Sequence, residues 1–388
     1  MKVIFVTSRF PFPLEKGDKL RAYHFIKCLS KQHEVHLFAT AESTPTLAQI
    51  KALEPYCKSI TTASLSKIQI AINLLKAGFT NLPFQVSYFT FAAAKKQLQE
   101  LQQNIKADIA FFHLIRTAEL AESVGNIPKV IDYMDTFSIG VKRRAAAENI
   151  FTKWLWNWEY KKLIHYEQQV FKLFSAHSII SEQDRNFLPI AEKQSIAVIP
   201  NGVETNWNKS ATKKYDIIFA GNMNYPPNIE AVQFLAKKIM PLVWQKLPAA
   251  KVVIAGAEPA VQVQKLASEN IEVTGWVSDI QAYFTTSKIL VAPMLISIGL
   301  QNKLLEAMAA GVPCVTSEMA NNALKAQDQT QILVAKKPEE FATNIVNLLE
   351  NKELYHTISN EAFRFVTENY SWNKVEELLN ELLKKQKT

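Results

Sequence analysis

Between Gly299 and Pro313 the chain reads Gly-Leu-Gln-Asn-Lys303-Leu-Leu-Glu306-Ala-Met-Ala-Ala-Gly311-Val-Pro. Glycines bracket a run of good helix formers and Pro313 stops it, so the spacing predicts a short helix entered from a glycine turn. A helix start presents unpaired backbone N–H groups and a partial positive charge, which suits a phosphate. Lys303 falls in the first turn as a point charge for an anion. Glu306, three residues on, shares that face and can accept two hydrogen bonds from a vicinal diol. A phosphate seat, a cation and a diol-reading carboxylate are the parts a sugar nucleotide requires. The same spacing equally describes a surface helix whose Lys and Glu form a weak pair.

Elements able to hold such a site recur along the chain. Short β-branched runs at 3–7, 34–39, 108–112, 130–133, 177–181 and 196–199 alternate with amphipathic ones, the first of these over 20–30. That order predicts a parallel sheet covered by helices on both faces. A second series follows Pro200-Asn-Gly202, with strands expected at 216–220, 251–255, 271–274, 288–292, 313–316 and 332–334. The polar, turn-rich residues 200–215 read as the linker. The expected fold class is therefore α/β, with two doubly wound domains. Ligands of such sheets lie at the carboxyl ends of strands, and the crevice between domains is the expected site.

Composition bounds the alternatives. At 388 residues two domains are the prior. A hydrophobic content of 48% and a charged content of 21% are those of a globular protein, and no apolar run is long enough to span a bilayer. The first residues lack the apolar core and cleavage site of a signal peptide. Cys28, Cys57 and Cys314 are few and far apart, which fits reduced thiols in a cytoplasmic protein. The net charge of +8 favours anionic partners. No block of basic residues or nucleic-acid motif accompanies it, so an anionic membrane surface or a nucleotide substrate ranks above nucleic acid. Residues 66–90 are apolar with interspersed Lys and little acid; they could suit a membrane surface or a lipid acceptor, but a helix packed on its own sheet is the plainer reading. Trp154, Trp156, Trp158, Tyr160 and Tyr166 crowd one long helical pattern, for which core packing is the plainer use.

Taken in order, several segments resemble a known family. In the second half they are Phe219-Ala-Gly221-Asn-Met-Asn-Tyr-Pro-Pro-Asn228, Val253-Ile-Ala-Gly256, Val273-Thr-Gly275-Trp-Val277-Ser-Asp279 and Gly299 through Pro313. In the first half they are Ser8-Arg-Phe-Pro-Phe-Pro13, Lys16-Gly-Asp-Lys-Leu-Arg21-Ala-Tyr-His24, Ile131-Asp-Tyr-Met-Asp135, Ser181-Glu-Gln-Asp-Arg185 and Pro200-Asn-Gly-Val203. The chain resembles glycosyltransferase family 4, in a bacterial branch associated with exopolysaccharide and exosortase clusters. The resemblance implies the GT-B fold, two Rossmann-like domains facing a cleft. Residues 1–200 would bind the acceptor and 201–370 the nucleotide sugar, with a helix over 371–388 placed to pack back on the N-terminal domain. It implies transfer of a sugar from a UDP or GDP donor to a saccharide or lipid-linked acceptor, with retention at the anomeric carbon and without a metal or other cofactor. Peripheral contact with the inner face of an anionic membrane would follow from such an acceptor.

Residue roles carry over on matching positions. Glu306 matches the second glutamate of the family's Glu-x7-Glu motif and would hold the ribose hydroxyls. Lys303 and the backbone N–H groups of Gly299 and Leu300 would hold the diphosphate. Gly275, Trp276 and Val277 would lie beside the base, Trp276 either stacked on it or packed at a strand end. Gly221 and Asn222 would face the cleft. His113 is implied as the catalytic cleft histidine; from the residues alone it is a packing histidine after two phenylalanines. On the acceptor side stand Gly17, Asp18, Lys19, Arg21 and Asp135, with Asp18 equally a helix cap and Lys19 and Arg21 candidates for a phosphate.

The pattern is broken in two places. Ile298 stands where the first glutamate of Glu-x7-Glu belongs, and Leu295 and Ile298 stand where the branch carries arginines. Asn222 follows Gly221 where an arginine is usual, and no lysine follows before Lys237. Stabilisation of the leaving diphosphate then falls to Lys303, the helix start and Arg21. These departures keep two other readings open: a catalytically silent GT-B protein that binds a nucleotide sugar or a partner enzyme, and a GT-B sugar-nucleotide epimerase.

Overall fold

Val3, Ile4, Phe5 and Val6 have no solvent-exposed surface, as a central parallel strand buried on both faces requires. In the computed structural model, which describes residues 1–147, 150–207, 212–296 and 299–386, they form β1 (Lys2–Thr7). Six further strands follow: β2 (Glu34–Ala41), β3 (Ser59–Ser64), β4 (Ile109–His113), β5 (Lys129–Asp132), β6 (Ala176–Ile179) and β7 (Ala197–Val198). All pair in parallel, in the order β3-β2-β1-β4-β5-β6-β7. The sequence pattern missed β3, whose Ser-Ile-Thr-Thr-Ala-Ser is a half-buried edge strand without an apolar run.

The chain divides into two compact units, Met1–Asn201 with Val375–Thr388, and Gly202–Lys374. The first unit carries α1 (Gly17–Ser30), α2 (Lys67–Ala77) and α3 (Ile150–Leu173). Helix α2 is not packed as a core helix: Ala77 is its one buried residue. Along α3, Tyr166 is buried, but Trp154 is 64% exposed, so core packing explains only part of that aromatic run.

The second unit repeats the plan with β8 (Tyr215–Ala220), β9 (Val252–Ala255), β10 (Ile271–Val273), β11 (Ser287–Ala292), β12 (Cys314–Ser317) and β13 (Leu333–Ala335). These also pair in parallel, in the order β10-β9-β8-β11-β12-β13. Its helices include α4 (Pro226–Phe234) and α5 (Asn302–Ala309). Helix α5 ends as its sequence predicts. Val312 N–H bonds the Ala307 carbonyl at 2.8 Å and Gly311 N–H the Met308 carbonyl at 3.0 Å, with Gly311 at φ +71. This is a Schellman stop, whose left-handed residue is best served by glycine. It is not a surface helix: Lys303, Leu304, Leu305, Ala307, Met308 and Ala309 are buried.

The final helix, α6 (Trp372–Lys384), enters the first unit from Val375 onward. There Lys31 Nζ meets Glu376 at 2.6 Å and His33 Nε2 meets Asn380 Oδ1 at 2.8 Å. In each sheet the order reverses once, between β1 and β4 and between β8 and β11. Such reversals open a crevice at the carboxyl ends of the strands, where doubly wound sheets bind ligands.

Candidate functional site

In the second unit Ala220 pairs in register with Ala255, so Gly221 and Gly256 leave their strands side by side. A Cβ on Gly256 would stand 1.7 Å from the Gly221 carbonyl oxygen; only glycine allows this approach. The strand ends thus close on each other as bare backbone and leave a concavity of about 330 Å³ above them. Gly221, Asn222, Trp276, Val277, Lys303 and Glu306, all singled out in the sequence, line it. Gly256, Ala257, Ile280 and Asn302 line it too and were not singled out as site residues. Gly275, Gly299 and Leu300 are not among the lining residues; the Gly275 carbonyl instead accepts from Gly256 N–H at 3.3 Å. Trp276 is 75% exposed, which sets aside the reading of a tryptophan packed at a strand end.

Among the described residues, Lys303 is the one positively charged member of this lining. Its Nζ lies 2.6 Å from Asn228 Oδ1, 3.8 Å from Met294 Sδ and 4.1 Å from the centre of the Phe219 ring. Burial pulls the Lys303 ammonium down to about 7, against the opposing pull of Glu306. Burial likewise pushes the Glu306 carboxyl up to about 7, against Lys303. Each charge is thus held in surroundings that disfavour it, and a ligand of complementary charge or hydrogen bonding relieves that strain. Asn228 was quoted in the sequence pattern but given no role. It joins the two walls of the pocket: its Oδ1 takes Lys303 and its Nδ2 donates to the Asn222 carbonyl at 2.8 Å. Leu295 is 46% exposed, and Ile298 lies outside the described residues.

The first-unit residues divide differently. Arg21 is corrected: it is no ligand for a phosphate. Its guanidinium is fully buried, gripping Asp132 through Nε and Nη2 at 2.8 Å each, with Asn201 Oδ1 at 2.9 Å and the Ile199 carbonyl at 2.8 Å. Burial alone would raise the Asp132 carboxyl, but the charge and hydrogen bonds of Arg21, helped by His113, hold it well below the usual carboxylate range. His113, 1% exposed, is spent in the same network, its Nδ1 3.0 Å from Asp132 and its Nε2 3.0 Å from the Asp18 carbonyl. The arrangement is that of a packed, hydrogen-bonded histidine. Asp18 does not cap α1, whose N-cap is Lys16; it pairs with Arg9 at 2.7 Å. Lys19 pairs with Glu15 at 2.8 Å and, with Lys16, lines a small polar cavity of about 170 Å³ beside exposed Gly17. Asp135 is exposed to solvent; the protein crowded around its carboxyl first, then Asp184, pushes it up to about 6.

Comparison with known proteins bears on the second unit most directly. Residues 214–351 match the family described as Glycosyl transferases group 1. Every residue lining the 330 Å³ pocket falls inside that group 1 segment. Along nearly its whole length the chain is similar to a Klebsiella pneumoniae protein described as an uncharacterized 44.6 kDa protein in the cps region. The two are 24% identical over 402 residues, covering 96% of this chain and 97% of that one. Among solved structures, Anabaena HepE in complex with UDP-glucose matches with a TM-score of 0.65 at 12% identity, over 99% of this chain and 100% of that one. A glycosyltransferase from Rickettsia africae matches with a TM-score of 0.66 at 15% identity, over 98% of each chain. At these identities the structural likeness establishes the architecture, the two doubly wound sheets of the GT-B fold. The group 1 match adds that the second unit carries the sequence signature of a glycosyl transferase domain.

Proposed function

We propose that this chain is a retaining, metal-independent glycosyltransferase of the family 4 type. It would move a sugar from a UDP or GDP donor to a saccharide or lipid-linked acceptor in cell-surface polysaccharide synthesis, working at the inner face of a membrane. The observation that carries this reading is the second-unit pocket, where Lys303, Glu306 and Trp276 meet over glycine strand ends inside the group 1 segment. Each has a part: Trp276 stacks on the base, Glu306 accepts the ribose hydroxyls, and Lys303 with the start of α5 takes the diphosphate. Those cationic groups act most strongly as the glycosidic bond breaks, because the departing diphosphate then gains negative charge. The Klebsiella relative, described by its place in a cps region, supports a polysaccharide context.

Calorimetry and a donor-hydrolysis assay with a panel of UDP- and GDP-sugars test the proposal; neither binding nor turnover with any of them sinks it. Proton NMR of the product reads retention directly, and activity in excess chelator reads metal independence. One observation favours a second reading. With Arg21 buried away, Lys303 is the single cation among the described residues of the pocket, which is meagre for stabilising a leaving diphosphate. A protein that binds the nucleotide sugar without turning it over is that reading, and binding without product, in the presence of a cell lipid extract, selects it.

A further inference from the structure

The first unit holds a larger and very different cavity, of about 620 Å³, within the size range of small-molecule sites. One side is apolar, built by Leu74 of α2, Phe84, Phe89, and Leu155 and Trp156 of α3. The other side carries Arg9 and Arg116. Their position follows from the topology. Thr7 and His113 are paired in register at the ends of β1 and β4, the strands between which the sheet order reverses, and Arg9 and Arg116 lie just beyond them. This cavity therefore occupies the place where doubly wound sheets bind ligands.

The two guanidiniums converge on one aromatic ring, 5.7 Å and 5.5 Å from the centre of Phe89. The Arg9 charge disfavours that of Arg116, and an anion shared by the two relieves the repulsion. Asp18 answers Arg9. Arg116 donates to the carboxamide oxygen of Gln85 at 3.0 Å and lies 4.9 Å from the centre of the Phe137 ring, and among the described residues its buried Nε has no hydrogen-bond partner. The cavity's carboxylates are committed elsewhere: Glu42 accepts from the Tyr88 hydroxyl at 3.1 Å, and Glu159 from the backbone N–H groups of Phe84 and Gln85 at 2.8 and 3.1 Å. Burial first, then Arg9, pulls Arg116 down to about 10, against the opposing pull of Asp18 and Asp135.

Two neighbours extend the pattern. Arg9 and Glu42 are shared with the small polar cavity that holds Lys16 and Lys19. On the apolar side, α2 and the turn after it expose Ile68, Ile72, Leu75 and Phe79, the last 93% exposed. Positions 68, 72 and 75 share one helical face, and residues 66–90 contain lysines and no acid. Trp154 and Leu155 of α3 are exposed as well.

We propose that this cavity binds a lipid phosphate: the apolar chain lies against Leu74, Leu155 and Trp156, the phosphate between Arg9 and Arg116, and the polar head toward Lys16 and Lys19. The exposed stripe of α2 rests on the bilayer that supplies it. That this lipid is the sugar acceptor rests on the proposed transferase reading; the binding itself does not.

Isothermal calorimetry on the full chain with farnesyl phosphate tests it, with farnesol, inorganic phosphate and a short-chain phosphatidic acid as further arms. Farnesyl phosphate should bind, and farnesol and inorganic phosphate should each bind at least about tenfold more weakly, because each lacks half of the recognised chemistry. Arg116→Gln should weaken farnesyl phosphate by about tenfold or more. Leu155→Glu, a change at a partly exposed position that leaves folding intact, should abolish it. Preference for farnesyl phosphate over phosphatidic acid assigns a single-chain carrier, and the converse a membrane phospholipid; both uphold a lipid-phosphate site. No binding of either lipid, or binding untouched by both substitutions, overturns it. UDP-sugar binding measured on the same samples separates the two ideas: lipid binding without any nucleotide-sugar binding removes the transferase reading and leaves this site standing.

Discussion

Asn228 holds Lys303 by a 2.6 Å hydrogen bond to its side-chain oxygen, while its amide nitrogen holds the Asn222 carbonyl at 2.8 Å. One carboxamide thus ties the cation of α5 to the turn after β8, across 75 residues of chain. Lys303 would otherwise swing among rotamers, and fixing a long side chain before the ligand arrives removes that entropy from the binding step.

Asn228→Ala should therefore weaken UDP-sugar binding without emptying the pocket. A hydrogen bond to a charged group is worth about 1.5–3 kcal/mol, so a loss of roughly tenfold or more in affinity is expected. Calorimetry with UDP-glucose reads it. An unchanged affinity means Asn228 is only a structural residue of α4.

The pocket's two charges set a pH profile with opposite limbs. Lys303 is held near 7 by burial, so in the empty site it loses its proton as pH rises through that value, and a bound diphosphate must recapture one. Affinity then falls on the alkaline side. Glu306 is raised to about 7, so it becomes protonated as pH drops and ceases to accept two hydroxyls; affinity falls on the acid side. UDP-glucose binding should peak near neutrality. Lys303→Met should remove the alkaline limb and Glu306→Gln the acid limb. Stability moves the other way. The raised carboxyl costs stability fully above its folded value, so Glu306→Gln should stabilise the empty protein at pH 8 by on the order of 1 kcal/mol and little at pH 5. A flat binding profile for the unmodified chain contradicts both assignments.

Much of the second-unit site was legible because its signals are local. Gly221, Gly256 and Gly275 punctuate strands, and the spacing from Gly299 to Pro313 spells a helix with its stop. Chemistry carried by strand ends in a parallel sheet then converges by topology, which brought Gly221, Asn222, Trp276, Val277, Lys303 and Glu306 to one pocket. What was not legible depends on distant pairing. Arg21 reads as an anion ligand beside Lys19, yet its partners Asp132 and Asn201 lie 111 and 180 residues away, and they turn it inward. His113 follows the same logic, bound to Asp132 and to the Asp18 backbone. Arg9 lies in the quoted Ser8–Pro13 segment but was given no role, and Arg116 lies in no motif; only the pairing of β1 with β4 sets them together. Strand β3 escaped because a half-buried edge needs no apolar alternation.

Trp276 offers a clean separation of binding from folding. Its ring is largely in solvent and contributes little to the core. Trp276→Ala should leave the unfolding free energy within about 0.5 kcal/mol of the parent. If the ring stacks on the base, the same change should cost about 1–3 kcal/mol of nucleotide affinity, as aromatic–base stacking does elsewhere. A variant that binds UDP as tightly as the parent places the base away from residue 276.

The Arg21–Asp132 pair should behave as interior architecture. Both side chains are fully buried, and Asp132 also receives Ser178 Oγ at 2.7 Å and His113. Asp132→Asn leaves a buried guanidinium without its counterion, which typically costs about 3–5 kcal/mol. Because the Asp132 carboxyl is held below the usual range, its contribution is complete above about pH 4 and is lost only as pH falls through the depressed value. The stability gap between the parent and Asp132→Asn, read by denaturant titration, should therefore stay level from pH 8 to pH 5. Replacing both partners with apolar residues of similar volume, as in Arg21→Met with Asp132→Leu, should recover part of the loss, since no charge is then left stranded. A loss below about 1 kcal/mol in the single variant would instead mean that water reaches Arg21, and its candidacy as a phosphate ligand would return.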